Sequence, residues 1–213
     1  MVTELPPGDG PREETRARIE QAALDLFTRR GFEGVPIEAI AETAGISRRT
    51  YFRYFATKAD AVWGDFPGHV ARLADLLRDA DPRRPVLATI CDAYVEVNDY
   101  ATADLPLLRQ RMQLILTEPA LQAHSQLRYA AVDRVVAEHV AARTGGGPGE
   151  LLPRLVATSS RAAATTAFEA WLRFPDLSLD KALRMAFEEL STGFGSLRVP
   201  LPAGERADPA GAP

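Results

Sequence analysis

The 213-residue sequence has a single cysteine, Cys91, and only two lysines, Lys58 and Lys181. One cysteine excludes an intramolecular disulfide framework and a cysteine-rich zinc site, so a reduced, cytoplasmic setting is expected. Charges interrupt every apolar run before it reaches the roughly 18 to 20 residues of a membrane-spanning helix. The start, Met1 to Pro11, is acidic and turn-rich and lacks the basic-then-apolar order of a secretory leader. Enzymatic signatures are also missing. The glycines from 145 to 149 are not followed by the Lys-Ser/Thr pair of a phosphate loop, and no Gly-x-Ser-x-Gly elbow occurs. Ser178-Leu-Asp-Lys181 fits Ser-x-x-Lys by letter, but Ser178 reads better as a helix N-cap with Asp180 in the first turn. His69, His124 and His139 have neither an i, i+4 partner nor a carboxylate cluster, so no metal, no cofactor and no catalytic role are expected. The lysine shortage, with abundant arginine and alanine, reads as the signature of a high-GC genome rather than of a function.

What is present is an ordinary globular balance, 46% hydrophobic and 25% charged residues, on a chain long enough for one or two domains with a packed core. Alternating β-branched runs are absent and helical periodicity prevails, so the expected class is all-α with about nine helices. Ile19, Ala22, Ala23, Leu26 and Phe27 form an i, i+3, i+4, i+7 stripe on a first helix from Glu13 to Arg30, closed by Gly31. A short helix follows Pro36 as its first helical residue, carrying Ile37, Ile40 and Ala41 inward. Ala44-Gly45-Ile46 makes a tight turn, and Ser47 caps a third helix from Arg48 to Phe55. Thr57-Lys-Ala-Asp60 resembles a capping box opening a fourth helix at Lys58 that reaches Asp79 with a bend at Pro67-Gly68. Longer helices are expected at 86–101, from Pro106 to Leu116, from Pro119 to Arg143, and at 150–173 and 179–194. The expected organisation is a loose tail over 1–11, a trihelical head over 12–57, a helical body over 58–197 and a second tail over 198–213.

The net charge is −4, which advertises no general affinity for polyanions. Its distribution is informative. Between Thr43 and Ala59 stand Arg48, Arg49, Arg53 and Lys58 with no acid, so +4 sits in one short stretch and the rest of the chain carries −8. A short helix opened by Ser47 with two arginines in its first turn can enter a major groove about 12 Å wide. Arginine's planar fork suits guanine or paired phosphate oxygens. Thr50, Arg53, Tyr54 and Lys58 offer further donors for phosphates. Two lone arginines would more often be a solvated face, and the aromatics Tyr51, Phe52 and Phe55 more often anchor a short helix than touch DNA.

The order Ala22-Ala-Leu-Asp-Leu-Phe27, Gly31-Phe32, Ile40-Ala41, Ala44-Gly45-Ile46-Ser47, Thr50, Tyr54-Phe55 and Lys58 resembles the N-terminal helix-turn-helix of the TetR family of bacterial transcription regulators. The resemblance spans about residues 13–63. It implies an Ω-shaped homodimer, two heads on a double-stranded, palindromic operator, and a C-terminal body that senses a small-molecule effector. Two positions depart from the family. Pro36 stands where a Ser or Thr would cap the second helix and touch phosphate, and Phe52 stands where a tyrosine usually sits, which leaves Tyr51 or Arg53 to take over that contact. These departures keep open another reading, a helical small-molecule-binding or enzyme-like module whose head has lost DNA binding. In the body, the stretches 62–66 and 105–130 are similar to the actinobacterial mycofactocin-system regulators. That narrower likeness implies a repressor of mycofactocin biosynthesis genes, released by long-chain acyl-CoA.

Cys91, Tyr94, Asn98, Met112, Leu116, His124, Phe168 and Trp171 fall on helices that would surround an internal cavity, although core packing is the ordinary role for each. Arg109, Arg111 and Arg128 are candidates for the anionic end of such a ligand. The small residues of Ala157-Thr-Ser-Ser-Arg-Ala-Ala-Ala-Thr-Thr-Ala167 permit close helix approach. With Leu183, Phe187, Leu190 and Phe194 of the last helix they suggest a four-helix dimer interface, or else the closing face of the monomer's own core.

Overall fold

Prolines stand at the start of several helices of this chain and glycines close three of them, because a first-turn residue needs no N–H and a helix end needs a backbone that can turn away. The computed structural model describes residues 10–194, and every regular element among them is helical. Helix α1 covers Pro11–Arg30, with Glu13 and Glu14 in its first turn and Arg29 and Arg30 in its last, complementing the helix dipole at both ends. Pro11, expected in a tail, is its first residue. The expected tail at 198–213 and residues 1–9 of the other lie outside the described residues. Helix α2 spans Ile37–Thr43, and Pro36 is its N-cap in extended conformation rather than its first helical residue. Helix α3 spans Arg48–Tyr54.

The expected helix from Lys58 to Asp79 is two helices. The Thr57 N–H donates to Asp60 Oδ2 at 2.8 Å and the Asp60 N–H to Thr57 Oγ1 at 3.2 Å, so the reciprocal cap forms, but α4 lasts only from Asp60 to Trp63. Gly64, with φ 60° and ψ −141°, leaves helical space, and Asp65 then caps α5, Phe66–Asp79, by accepting from the Gly68 N–H. Pro67 therefore lies in a first turn, where it disrupts nothing. The bend expected at Pro67-Gly68 is a break one turn earlier. Helix α6 covers Val86–Val97, shorter than expected. A 3-10 turn, Thr102–Asp104, leads into α7, Leu105–Thr117. Helices α8, Pro119–Thr144, α9, Leu151–Arg173, and α10, Leu179–Ser191, complete a set of ten among the described residues.

Two apolar clusters hold these elements. The first joins α1, α2 and α3 and continues past residue 57 through Ala59, Ala61, Val62 and Trp63 to Leu114, Ile115 and Leu121. The second joins α5 to α10 around Leu73, Ile90, Val136, Trp171 and Leu183. Leu183 and Phe187 are 0% and 2% exposed, so they close the monomer's own core and are not interface residues, as the amphipathic pattern alone had left open. What α9 turns outward instead is Leu151, Leu155, Thr158 and Ala162 in helical register, and α10 exposes Met185.

Candidate functional site

The turn before α3 is built by Gly45, whose φ of 68° lets the Ile46 N–H return to the Ala41 carbonyl at 2.9 Å. Ser47 then caps α3, its Oγ accepting from the Thr50 N–H at 3.1 Å, which is worth about 1 kcal/mol to a helix of this kind. The exposed face of α3 carries Ser47, Arg48, Arg49 and Arg53, with Thr50 and Tyr54 half-buried at its edge. Arg48 pairs with Glu38 at 2.7 Å and lies over the exposed Phe52 ring. Both partners are more than 60% exposed, so the pair yields readily to a stronger anion. Arg53 lies over the Tyr54 ring, and its hydrogen bond holds that phenol below the usual tyrosine range.

Two residues expected at this interface do other work. Tyr51 is fully buried, its hydroxyl donates to the Thr57 carbonyl at 3.1 Å, and burial pushes its phenol up, so it fastens α3 to the head and presents nothing to DNA. Lys58 turns inward. Its Nζ donates to the Phe32 carbonyl at 2.7 Å, reaches those of Glu33 and Val35 at 3.4 Å, and lies over the Phe32 ring. It stitches the α1–α2 loop together, because three carbonyls in one place need a cation more than a distant phosphate does.

The body holds a partly open cavity of about 110 Å³ among α4 to α9. Of the residues expected to line it, Tyr94, Asn98, Met112 and Phe168 do, and so does Arg111. The others do not. Trp171 is core, and Arg109 stacks on its ring at 4.1 Å while donating to its carbonyl. Arg128 pairs with Asp60 and lies over Trp63. His124 is exposed, Leu116 packs into the core, and Cys91 faces the Asp92, Asp180 and Arg184 surface, where burial raises its thiol. An unbroken α8 explains His124: its position in the first turns points it away from the bundle. The walls also include residues not anticipated from the sequence, among them Trp63, Phe66, His69, Tyr129 and Arg161. The break at Gly64 is what aims α5 so that Phe66 and His69 face inward. His69 is pushed down to about 4, first by burial and then by Arg72, against the opposing pull of Asp65.

Three buried polar atoms of cavity-lining residues have no hydrogen-bond partner among the described residues: Trp63 Nε1, Tyr94 Oη and Arg111 Nε. Two of them can only donate. Arg111 also connects the cavity to the head. Its Nη2 meets Glu20 Oε2 of α1 at 2.8 Å, while Glu20 Oε1 accepts from Arg16 at 3.0 Å and Arg16 donates to the Gly64 carbonyl at 2.9 Å. A Cβ at Gly64 would stand 2.3 Å from Arg111 Nη1, so this crossing requires glycine. Next to it, Gln110 donates to Asp25 and Thr28 of α1. No set of three or more His, Cys, Asp or Glu side chains that could hold a metal, and no helix long and apolar enough to cross a membrane, occurs among the described residues.

Comparison with known proteins agrees with this arrangement. Residues 19–61 match the family described as bacterial regulatory proteins, tetR family, and residues 84–195 match the MftR C-terminal domain. The chain is 38% identical over 186 residues to a Mycobacterium tuberculosis protein described as "Putative mycofactocin biosynthesis transcriptional regulator MftR", covering 87% of this chain and 94% of that one. It is 30% identical to the transcriptional regulator TcmR of Streptomyces glaucescens, covering 86% and 85%. Among solved structures, Thermus thermophilus FadR, a TetR family repressor in complex with lauroyl-CoA, superposes with a TM-score of 0.57 at 20% identity, covering 89% of this chain and all of that one. NalD of Pseudomonas aeruginosa superposes with a TM-score of 0.61 at 20% identity, covering 85% and 96%.

Proposed function

Since the chain belongs to the TetR family of bacterial transcriptional regulators, we propose that it is a ligand-responsive repressor that binds a palindromic operator as a homodimer and controls mycofactocin biosynthesis genes. The observation that carries this reading is the exposed basic face of α3, with Arg48, Arg49 and Arg53 on a helix capped by Ser47 at the tip of an otherwise acidic protein. An acidic body repels the DNA backbone and a small basic tip admits it only when α3 is seated, which favours specific over indiscriminate binding. Ser47, Arg48, Arg49, Thr50, Arg53 and Tyr54 are the proposed contacts. The proposed head extends over 12–57 and the proposed body over 58–197.

Two copies would place their α3 helices in successive major grooves about 34 to 36 Å apart. The outward face of α9 and α10, with Leu151, Leu155, Thr158, Ala162 and Met185, is the proposed seam. The proposed effector site is the body cavity, and an acyl chain is the proposed occupant. The lauroyl-CoA bound by the similarly folded FadR supports that choice. At about 110 Å³ the cavity is below the roughly 300–1,000 Å³ usual for ligand pockets, so a long acyl chain must open it, and opening is a route to the head.

A mobility-shift titration with DNA from upstream of the protein's own coding region tests the reading. Retardation of that DNA at concentrations that leave scrambled DNA free, relieved by long-chain acyl-CoA, is the expected result. Equal retardation of both DNAs, or none, would favour a body whose head no longer reads DNA.

A further inference from the structure

The cavity is walled mostly by apolar side chains, and its ion pairs are already made. Arg161 pairs with Asp133 at 2.8 Å. Arg111 pairs with Glu20 through Nη2 at 2.8 Å, and Arg16, which shares Glu20, is one-third exposed and has solvent for the rest of its charge. What is unserved is narrower. The Nε–H of Arg111 and the Nε1–H of Trp63 are buried, can only donate, and have no acceptor among the described residues. Trp63 as a whole is 6% exposed. Folded proteins keep few such groups, and each calls for an explanation. The two belong to one end of the cavity. A Cβ at Gly64 would run into the Arg111 guanidinium, which therefore lies against the residue next to Trp63. The Trp63 ring packs edge-on against Phe66 and Tyr129, with centroids 5.1 and 5.7 Å away, so apolar wall adjoins the donors. Tyr94, the third unpartnered group, packs instead against Phe187 of α10, and its hydroxyl can accept as well as donate.

We propose that Arg111 Nε and Trp63 Nε1 together bind the thioester carbonyl oxygen of an acyl-CoA, so that the cavity reads the acyl group by its neutral carbonyl as well as by its chain. The inference rests on the acyl-CoA effector reading above and adds the functional group that is recognised and the two atoms that recognise it. A carbonyl oxygen has two lone pairs and no proton, which matches two donors and no acceptor. In the apolar half of an acyl-CoA it is the one strong acceptor, because the chain is hydrocarbon and the sulfur accepts weakly. A carboxylate is a poorer match: it favours two parallel N–H groups of one guanidinium and would contend with the buried Glu20 for Nη2. A carbonyl on Nε leaves the Glu20 pair in place. The chain then lies along Phe66, Tyr129 and Phe168, and the nucleotide end leaves on the side where Arg111 is 19% exposed.

The test is calorimetric titration of the full chain with lauroyl-CoA and with S-dodecyl-CoA, a thioether of the same chain length that lacks only the carbonyl oxygen. The wild type should bind the thioester about ten- to a hundredfold more tightly, the range expected when two buried donors gain or lose their acceptor. Trp63→Phe keeps an apolar ring and removes one donor. Arg111→Lys keeps a cation for Glu20 and puts a methylene where Nε stood. Each should cut the thioester preference severalfold, chiefly by weakening the thioester. A merely structural role would weaken both ligands alike and leave their ratio unchanged. Equal affinity of the wild type for the two ligands, the result if water alone serves the donors, or a ratio that survives either substitution, would overturn the proposal while leaving acyl-CoA as the effector. Binding of neither ligand would strike the acyl-CoA reading itself, and the proposal with it.

Discussion

The Tyr51 hydroxyl donates to the Thr57 carbonyl at 3.1 Å, and this bond ties the middle of the candidate recognition helix to the start of the connector that follows it. With Phe55 buried beside it, the tyrosine fixes how far α3 stands off α1, and so how its arginines are presented. Stability and DNA reading are therefore assigned to neighbouring residues that substitution can separate.

Tyr51→Phe keeps the ring and removes the bond, so the protein should lose about 1 kcal/mol of stability with its preference for operator over scrambled DNA intact. Urea unfolding followed by circular dichroism, alongside a DNA titration, checks both halves.

Arg49→Ala should do the reverse. Its side chain is exposed, so stability should move by less than about 0.5 kcal/mol. Specific binding should weaken by about 1 to 3 kcal/mol if the guanidinium reads a base. A uniform loss on every DNA would reassign it to a phosphate.

Lys58→Met should behave as a folding defect. Removing the ammonium leaves the carbonyls of Phe32, Glu33 and Val35 without their shared donor. Thermal unfolding should shift down by several degrees, in line with roughly 1 to 3 kcal/mol for a charge-assisted cluster. The salt dependence of DNA binding should not change, whereas loss of a phosphate contact would reduce its slope by about one.

His69 makes stability pH-dependent. Its folded value of about 4 lies below the ordinary 6.5, so the unfolded chain takes up the proton first. The stability that comes with the neutral imidazole is whole above pH 6.5 and is lost as the pH falls toward 4. Between pH 7 and pH 5 the loss should be on the order of 2 kcal/mol. His139 is shifted in the same direction, so the measurement is a comparison. His69→Gln should flatten the slope relative to the wild type, and an unchanged slope would remove His69 as its cause.

Leu151 and Leu155 are 83% and 55% exposed on the outward face of α9. Replacing both by Glu should leave the fold intact and convert a dimer into a 23.2 kDa monomer by light scattering. A wild type that is already monomeric at micromolar concentration would dismiss the seam.

The helices of the head could be read from the sequence because their signals are local: Ser47 as a cap, Gly45 in the turn, the Thr57–Asp60 box, and the stripe from Ile19 to Phe27. What the sequence could not settle were the long-range choices. Lys58 looked like a phosphate donor because its charge is visible and its three carbonyl partners, more than twenty residues away, are not. Leu183 and Phe187 mark an inner face, but periodicity does not tell whether the monomer or a second copy fills the other side. Half of the cavity was misassigned for a similar reason. Its position depends on where the chain breaks between α4 and α5, and the proline three residues after Gly64 drew attention from that glycine, which has the decisive backbone conformation.

The central claim is that this regulator's DNA-reading head and ligand-sensing body are coupled, and equilibrium linkage makes that claim reciprocal. The most direct measurement is the affinity of the purified protein for the DNA upstream of its own coding region, by fluorescence anisotropy, with and without saturating effector, paired with effector affinity in the presence and absence of that DNA. The account predicts the same factor in both, about 5- to 150-fold for couplings of the usual size. Operator binding indifferent to a ligand that demonstrably fills the cavity would contradict it.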